Sequence, residues 1–272
     1  MTNIHVEEVR EEMAEDLAWL CVPKEKRAEP AFVKGVEAKL AWIRNRLREG
    51  RPFCKIAYME NEPAGLLQYE IVPELSLARI LCIFVPEMRF WGKGIGTELL
   101  SSLVEEMRKI KGAEGQPLQA LLVHTFPGES EGQLSAREFF LRRSFRQVTE
   151  DPDLLVLPLV PSYRFQPEHR FETFPAPPPY WPQPEDRNAI LIIYGPFFCP
   201  WSVFWYAKAA EILKGVIPQA PLRWIDGVHQ REELEKRGGF QGIVVNGHPL
   251  GHSVFDGEAF VDEAQKAWKK GG

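Results

Sequence analysis

The chain has 272 residues, 44% of them hydrophobic and 26% charged, a globular composition long enough to bury two separate cores. A net charge of −5 leaves no basic face to release counterions, so nucleic acid and anionic membrane surfaces are not expected partners. Cys21, Cys54, Cys82 and Cys199 are scattered, with neither zinc spacing nor a disulfide framework; a reducing, cytoplasmic setting is expected, and no metal. No apolar run reaches the length of a membrane span, and the first residues lack a signal-peptide pattern.

In chain order, helical patterns are expected at about residues 5–20 and 31–48, the second with an apolar stripe of Phe32, Val36, Leu40, Ile43 and Leu47. A hairpin follows at 53–59 and 64–72. The β-branched run from Ile80 to Val85 reads as a buried strand that Pro86 ends. Gly92, Gly94 and Gly96 then make a turn, and Leu99, Leu100, Leu103, Val104 and Met107 recur at helical spacing beyond it. A strand is expected at 120–125. Ser135 and Glu138 form a capping box that starts a helix, and a strand pair lies around 145–160.

The strand, glycine turn and helix starting at Ile80 suit a phosphate. Glycines let backbone amides converge without Cβ obstruction, and the helix N-terminus adds partial positive charge. A Walker A loop would need G-x-x-x-x-G-K-[ST] and a dinucleotide fingerprint G-x-G-x-x-G; Trp91-Gly-Lys-Gly-Ile-Gly96 fits neither. It resembles motif A of the GCN5-related N-acetyltransferase (GNAT) family, whose loop is [RQ]-x-x-G-x-[GA]. Trp91 replaces the usual Arg or Gln, with Arg89 or Lys93 left to supply charge. The resemblance covers residues 1–160. It implies acetyl-CoA as co-substrate, its pyrophosphate on Gly92, Lys93, Gly94, Ile95, Gly96 and Thr97, and its pantetheine along Cys82, Ile83, Phe84 and Val85.

A proline-dense stretch, 161–187, cannot be a helix or a central strand and reads as an extended connector packed along a surface by its aromatics. Beyond it come a strand at 189–194, a helix through 204–213, a strand at 222–226 and a short helix near 231–236. A hairpin at 242–250 turned by Asn246-Gly247 and a last helix at 257–268 complete the chain. With Cys199-Pro-Trp-Ser202 at the first strand-to-helix junction, residues 188–272 resemble the thioredoxin/glutaredoxin fold, with Gln241 where that family carries a cis-proline. The whole arrangement is similar to the YoaP-like acetyltransferases. The fold class expected is α/β (α+β): a GNAT domain with a mixed sheet, plus a thioredoxin-like α/β domain.

By that resemblance the chain is an N-acetyltransferase in which an amine attacks the thioester directly in a ternary complex. The acceptor is a small-molecule or peptide amine, and a homodimer is left open. For the general base, His124 at the end of its strand comes first, because imidazole titrates near neutrality, with Glu70 and Glu87 as alternatives. The family's usual tyrosine acid is replaced by Phe140. Cys199, at a helix N-terminus where the dipole favours thiolate, is expected to be the most reactive thiol. It is also the centre of the competing reading, a CoA- or thiol-binding or sensing protein.

Overall fold

The structure, a computed structural model, describes residues 4–125, 134–148, 151–171 and 178–270. It divides into two compact units. One comprises residues 1–20 and 46–175, the other 21–45 and 176–272. This division differs from the linear one expected at the proline-rich stretch, because residues 21–45 cluster with the C-terminal part of the chain.

The first unit is built on a seven-stranded mixed sheet. Its strands are β1 (Ile4–Glu8), β2 (Cys54–Met59), β3 (Glu62–Val72), β4 (Leu77–Phe84), β5 (Ala120–His124), β6 (Arg146–Val148) and β7 (Asp151–Pro158), in the order β1-β2-β3-β4-β5-β7-β6. Only β4 and β5 are parallel. Residues 5–8, within the run expected to be helical, lie instead in strand β1, paired antiparallel from Ile4↔Met59 to Glu8↔Lys55. The helical run is cut to α1 (Ala14–Leu20) because the alternation of Ile4 and Val6 with polar neighbours matches a strand period, which the free edge of β2 completes.

Strand alternation decides the two faces. Leu67, Tyr69, Ala78, Ile80, Leu121 and Val123 pack under α3 (Ile95–Met107), with Leu99, Leu103 and Met107 of α3 fully buried, and Phe140 of α4 (Ala136–Leu141) joins this core. The expected Ser135 cap is present, its hydroxyl accepting the Glu138 amide at 3.2 Å. Leu77, Leu122, Leu154 and Val156 face the other way, where Tyr163 and Phe171 cover them. The N-terminal part of the proline-rich stretch is thus held by its aromatics; Phe174 lies outside the described residues.

A partly buried polar knot lies under α3. Lys55 is ion-paired to Glu8 and, at 2.5 Å, to Glu106, while the Tyr69 hydroxyl stands 3.2 Å from each of these carboxylates. Burial, reinforced by the neighbouring Glu106 carboxyl, pushes Glu8 up to about 7.

The second unit has four strands, β8 (Ile190–Tyr194), β9 (Leu222–Asp226), β10 (Gly242–Val245) and β11 (His248–Pro249), in the order β11-β10-β8-β9. The pair β8/β9 is parallel and the other pairs are antiparallel. All five residues of β8 are buried, as expected for a central strand covered on both faces. On one face lie α5 (Trp201–Val216) and α7 (Glu258–Lys269); on the other lie Leu234 of α6 (Arg231–Lys236), Phe240 and Tyr180. The residue 21–45 portion of α2 (Pro30–Glu49) packs in this unit. Phe32 stacks on Phe204 at 4.9 Å and meets the edge of Trp201 at 4.8 Å. Gly35 is required there, since a Cβ would run into the Pro200 carbonyl.

Arg237, fully buried, grips Asp186 through two bonds of 3.0 and 2.6 Å and bonds Glu233 at 2.9 Å, and Tyr180 donates its hydroxyl to Asp186. Removing one partner strands a buried charge. Asp186→Ala is therefore expected to cost ~3–5 kcal/mol in urea unfolding. A second expectation concerns pH. Because the folded carboxyl of Glu8 is raised from 4.5 to about 7, its contribution is complete at acid pH and is lost as pH rises through about 7. Thermal melts across that window should show a flatter pH profile for Glu8→Gln.

Candidate active site

The geometry of the first unit centres on the place where β4 and β5 part. Their parallel pairing runs from Leu77↔Ala120 to Ile80↔Val123 and stops, while β4 continues to Phe84 hydrogen-bonded to β3 alone. Among the described residues, one side of Cys82–Phe84 therefore has no strand paired with it. The break coincides with a register shift between Gln68 and Tyr69, whose partners on β4 are Cys82 and Ile80, so Leu81 is the extra residue of a bulge. A bulge re-aims the strand beyond it, which accounts for the divergence.

Beyond β4 the chain turns through Gly92, φ +70°, and Gly94, φ +92°, into α3. Both need the left-handed region that side chains rarely adopt. The amides of Gly92, Gly94, Ile95 and Gly96 donate to no backbone carbonyl among the described residues, while Thr97 and Glu98 bond back to the Gly94 carbonyl. Trp91, at the position of the expected Arg or Gln, pins the loop by donating its indole N–H to the Val85 carbonyl at 2.9 Å. Free amides at the positive end of a helix form an anion site.

The charges proposed for this loop divide. Arg89 is exposed and bridged to Glu87 at 2.6 Å and Glu62 at 2.5 Å. Lys93 is exposed on the loop. Sequence reasoning missed Arg143, which donates to the Thr97 hydroxyl at 2.5 Å while lying 3.8 Å over the Phe139 ring. It sits 46 residues away in the chain, so no local pattern signals it.

His124 ends β5 one residue after the last pair with β4, and so stands at the mouth of the opening. Its Nε2 lies 3.5 Å from the Asp151 carboxylate at the start of β7, a partner the sequence did not suggest. Glu70 lies opposite Arg79 on β3, 3.7 Å from Arg46. Alternation places His124 and Glu70 on the face away from α3. Glu87 is taken up by Arg89. Phe140 is buried in the core under α3 and offers no proton.

Residues 11–116 match the family model described as the acetyltransferase (GNAT) family. This stretch is a GNAT-family acetyltransferase domain. Solved structures similar to the chain include an N-acetyltransferase from Staphylococcus aureus Mu50, 16% identical over 58% of this chain and 99% of that one, TM-score 0.40. Another is a GNAT acetyltransferase from Brucella melitensis in complex with acetyl-CoA, 14% identical over 60% and 92%, TM-score 0.39. A third is an N-acetyltransferase from Thermoplasma acidophilum in complex with coenzyme A, 15% identical over 57% and 96%, TM-score 0.40. No curated protein matches the chain. No helix among the described residues is long and apolar enough to cross a membrane.

In the second unit Cys199 stands just before α5, as expected, but its electrostatics differ. Burial, followed by the neighbouring Cys21 thiol, pushes the Cys199 thiol up to about 11, against the pull of Lys39 and of the Trp201 and Ser202 amides. Segment 21–45 causes this. Trp201 donates to the Cys21 carbonyl at 2.9 Å, and the buried Lys39 ammonium is spent on the Cys21 sulfur at 3.3 Å. The helix dipole is outweighed by desolvation. Iodoacetamide labelling read by mass spectrometry should find Cys199 slow at neutral pH and accelerating only toward strongly alkaline pH. Fast labelling below the ordinary thiol range would contradict this assignment.

Proposed function

We propose that the chain is an acetyl-CoA-dependent N-acetyltransferase acting on a small-molecule or peptide amine by direct transfer in a ternary complex. The observation that carries this reading is the junction itself: β4 running past the end of its pairing with β5 and leading into amides at the start of α3 that bond to no backbone carbonyl among the described residues, within a GNAT-family stretch. Bound there, acetyl-CoA supplies the activated acetyl group. The amides of Gly92, Gly94, Ile95 and Gly96 hold its pyrophosphate, with Arg143 beside them, and the half-buried end of β4 at Cys82–Phe84, past its pairing with β5, receives the pantetheine arm.

In this reading the amine approaches from the face away from α3, where His124 accepts its proton. The imidazolium so formed is stabilised by the Asp151 carboxylate 3.5 Å away. His124 can return the proton to the leaving sulfur, which relieves the need for the absent tyrosine acid. Main-chain N–H groups on the open β4 edge are suited to stabilising charge on the carbonyl oxygen.

For the second unit we propose a thioredoxin-like module, supported by the order β-α-β-α-β-β-α and the position of Cys199-Pro-Trp-Ser202 before α5. The elevated Cys199 thiol disfavours the thiol-exchange alternative.

Calorimetry with acetyl-CoA tests the cofactor loop. Gly94→Val forces a β-branched residue into φ +92° and should abolish binding in a chain that still melts cooperatively. Thiol release in an amine screen tests the base. His124→Ala should lower kcat by ~10²-fold or more with acetyl-CoA affinity retained. Unchanged affinity in the first variant, or unchanged turnover in the second, overturns the corresponding assignment.

A further inference from the structure

Arg79 is a cation set among apolar residues without a partner of its own. It stands on β4 with Glu70 of β3 on one side and Leu122 of β5 on the other, so it belongs to the interior of the sheet. Its chain neighbours Ala78 and Ile80 are fully buried beneath α3, which puts Arg79 on the opposite face, the one that also carries His124. Leu77 and Leu122 beside it on that face are fully buried. Arginine in such surroundings is rarely left unpaired. Yet Glu70, the carboxylate directly across, is ion-paired to Arg46 at 3.7 Å. The Arg79 guanidinium closes no hydrogen bond and no ion pair among the described residues, and its Nε is buried without a partner. The ring of Phe171 lies 5.0 Å from the guanidinium carbon; it attracts the cation but does not take up its five N–H donors.

A buried donor without an acceptor is costly, and more so on a cation. A ligand that brings an anion removes that cost. Arg79 is in register with Leu122, two residues before His124 on the neighbouring parallel strand. With strands ~4.8 Å apart and a rise of ~3.3 Å per residue, the Cα atoms of Arg79 and His124 stand about 8 Å apart. Both side chains leave the sheet on one face, and a hydrogen bond of ~2.9 Å at each end leaves a gap that a small amino acid bridges.

We propose, building on the acetyl-transfer reading above, that the acceptor is an amino acid whose carboxylate is bound by Arg79 while its amine meets His124. The planar guanidinium fork matches a carboxylate through two parallel hydrogen bonds. The Asp151 and Glu70 carboxylates already face His124 and Arg46, which leaves Arg79 for the incoming anion. Pairing also serves the chemistry. An amino acid's own carboxylate favours its ammonium form, and the guanidinium offsets that influence, so the amine gives up its proton more readily. The amine nitrogen bonds to the acetyl carbon as the C–S bond breaks, and its proton passes through His124 to the leaving sulfur.

The test uses the full chain with acetyl-CoA and follows thiol release over matched acceptors: amino acids, their amides, the amines lacking the carboxyl group, and aminoalkyl phosphates. The acids should exceed their amides in kcat/KM by ~10-fold or more, the scale of a hydrogen bond to a charged group. Arg79→Met keeps an apolar stem beside Phe171 and should raise KM for the acids, drawing the acid-to-amide ratio toward one. Arg79→Lys, with the charge but not the fork, should restore part of that ratio. An equal loss for acid and amide, carried in kcat, marks a packing role and overturns the assignment. Equal turnover of acids and amides by the parent chain overturns it without any variant and leaves acetyl transfer standing; a preference for the phosphates overturns the choice of carboxylate. Acetyl-CoA binding with no thiol release from any acceptor overturns the acetyl-transfer reading and this proposal with it.

Discussion

The parting of β4 from β5 after Ile80 and Val123 is the constraint on which the first unit depends. A strand with only one hydrogen-bonded neighbour in a sheet interior is normally a defect, because its unpaired amides and carbonyls need partners. Here the loss is confined to a few residues by the bulge at Leu81, and the same bulge aims the strand at the loop that starts α3. Strand end, glycine loop, helix terminus and His124 thus meet at one local break in pairing. Burial of α3 by Leu99, Leu103 and Met107 holds the helix end in place while its first amides stay open.

Both units hold a buried cation, Lys55 and Arg237, among carboxylates. Lys55 with Glu8 and Glu106, and Arg237 with Asp186 and Glu233, are each assembled from separate elements. Such groups contribute little net stability over apolar replacements, but an interior charge left without its partner is strongly unfavourable. They therefore penalise any packing in which these elements are displaced. In the first unit the knot ties β1, β2, β3 and α3 together; in the second the pair ties the end of the proline-rich stretch to the residues after α6.

Cys199 shows how tertiary packing can reverse a local electrostatic argument. A helix N-terminus favours thiolate only while the sulfur stays accessible to water. With Trp201 bonded to the Cys21 carbonyl and Lys39 engaged by the Cys21 sulfur, desolvation exceeds the dipole and the thiol stays protonated. The cysteine that sequence context nominates for reactivity is one whose surroundings push its thiol toward the protonated form.

Local patterns determined most of the elements: the apolar run of β4, the alternating glycines, the periodic leucines of α3, the Ser135 cap and the Asn246-Gly247 turn each carry their cause within a few residues. The Gly92–Gly96 loop was legible for the same reason, since both the positive φ values and the open helix start are written in consecutive positions. What only the tertiary structure decided are the pairings between distant segments. These include strand β1 at residues 4–8, Asp151 beside His124, Arg143 on Thr97, and residues 21–45 packed with the C-terminal strands. None of these leaves a periodic trace, because a side chain's partner across the fold depends on how the cores close, and one residue's spacing along the chain records only its own helix or strand.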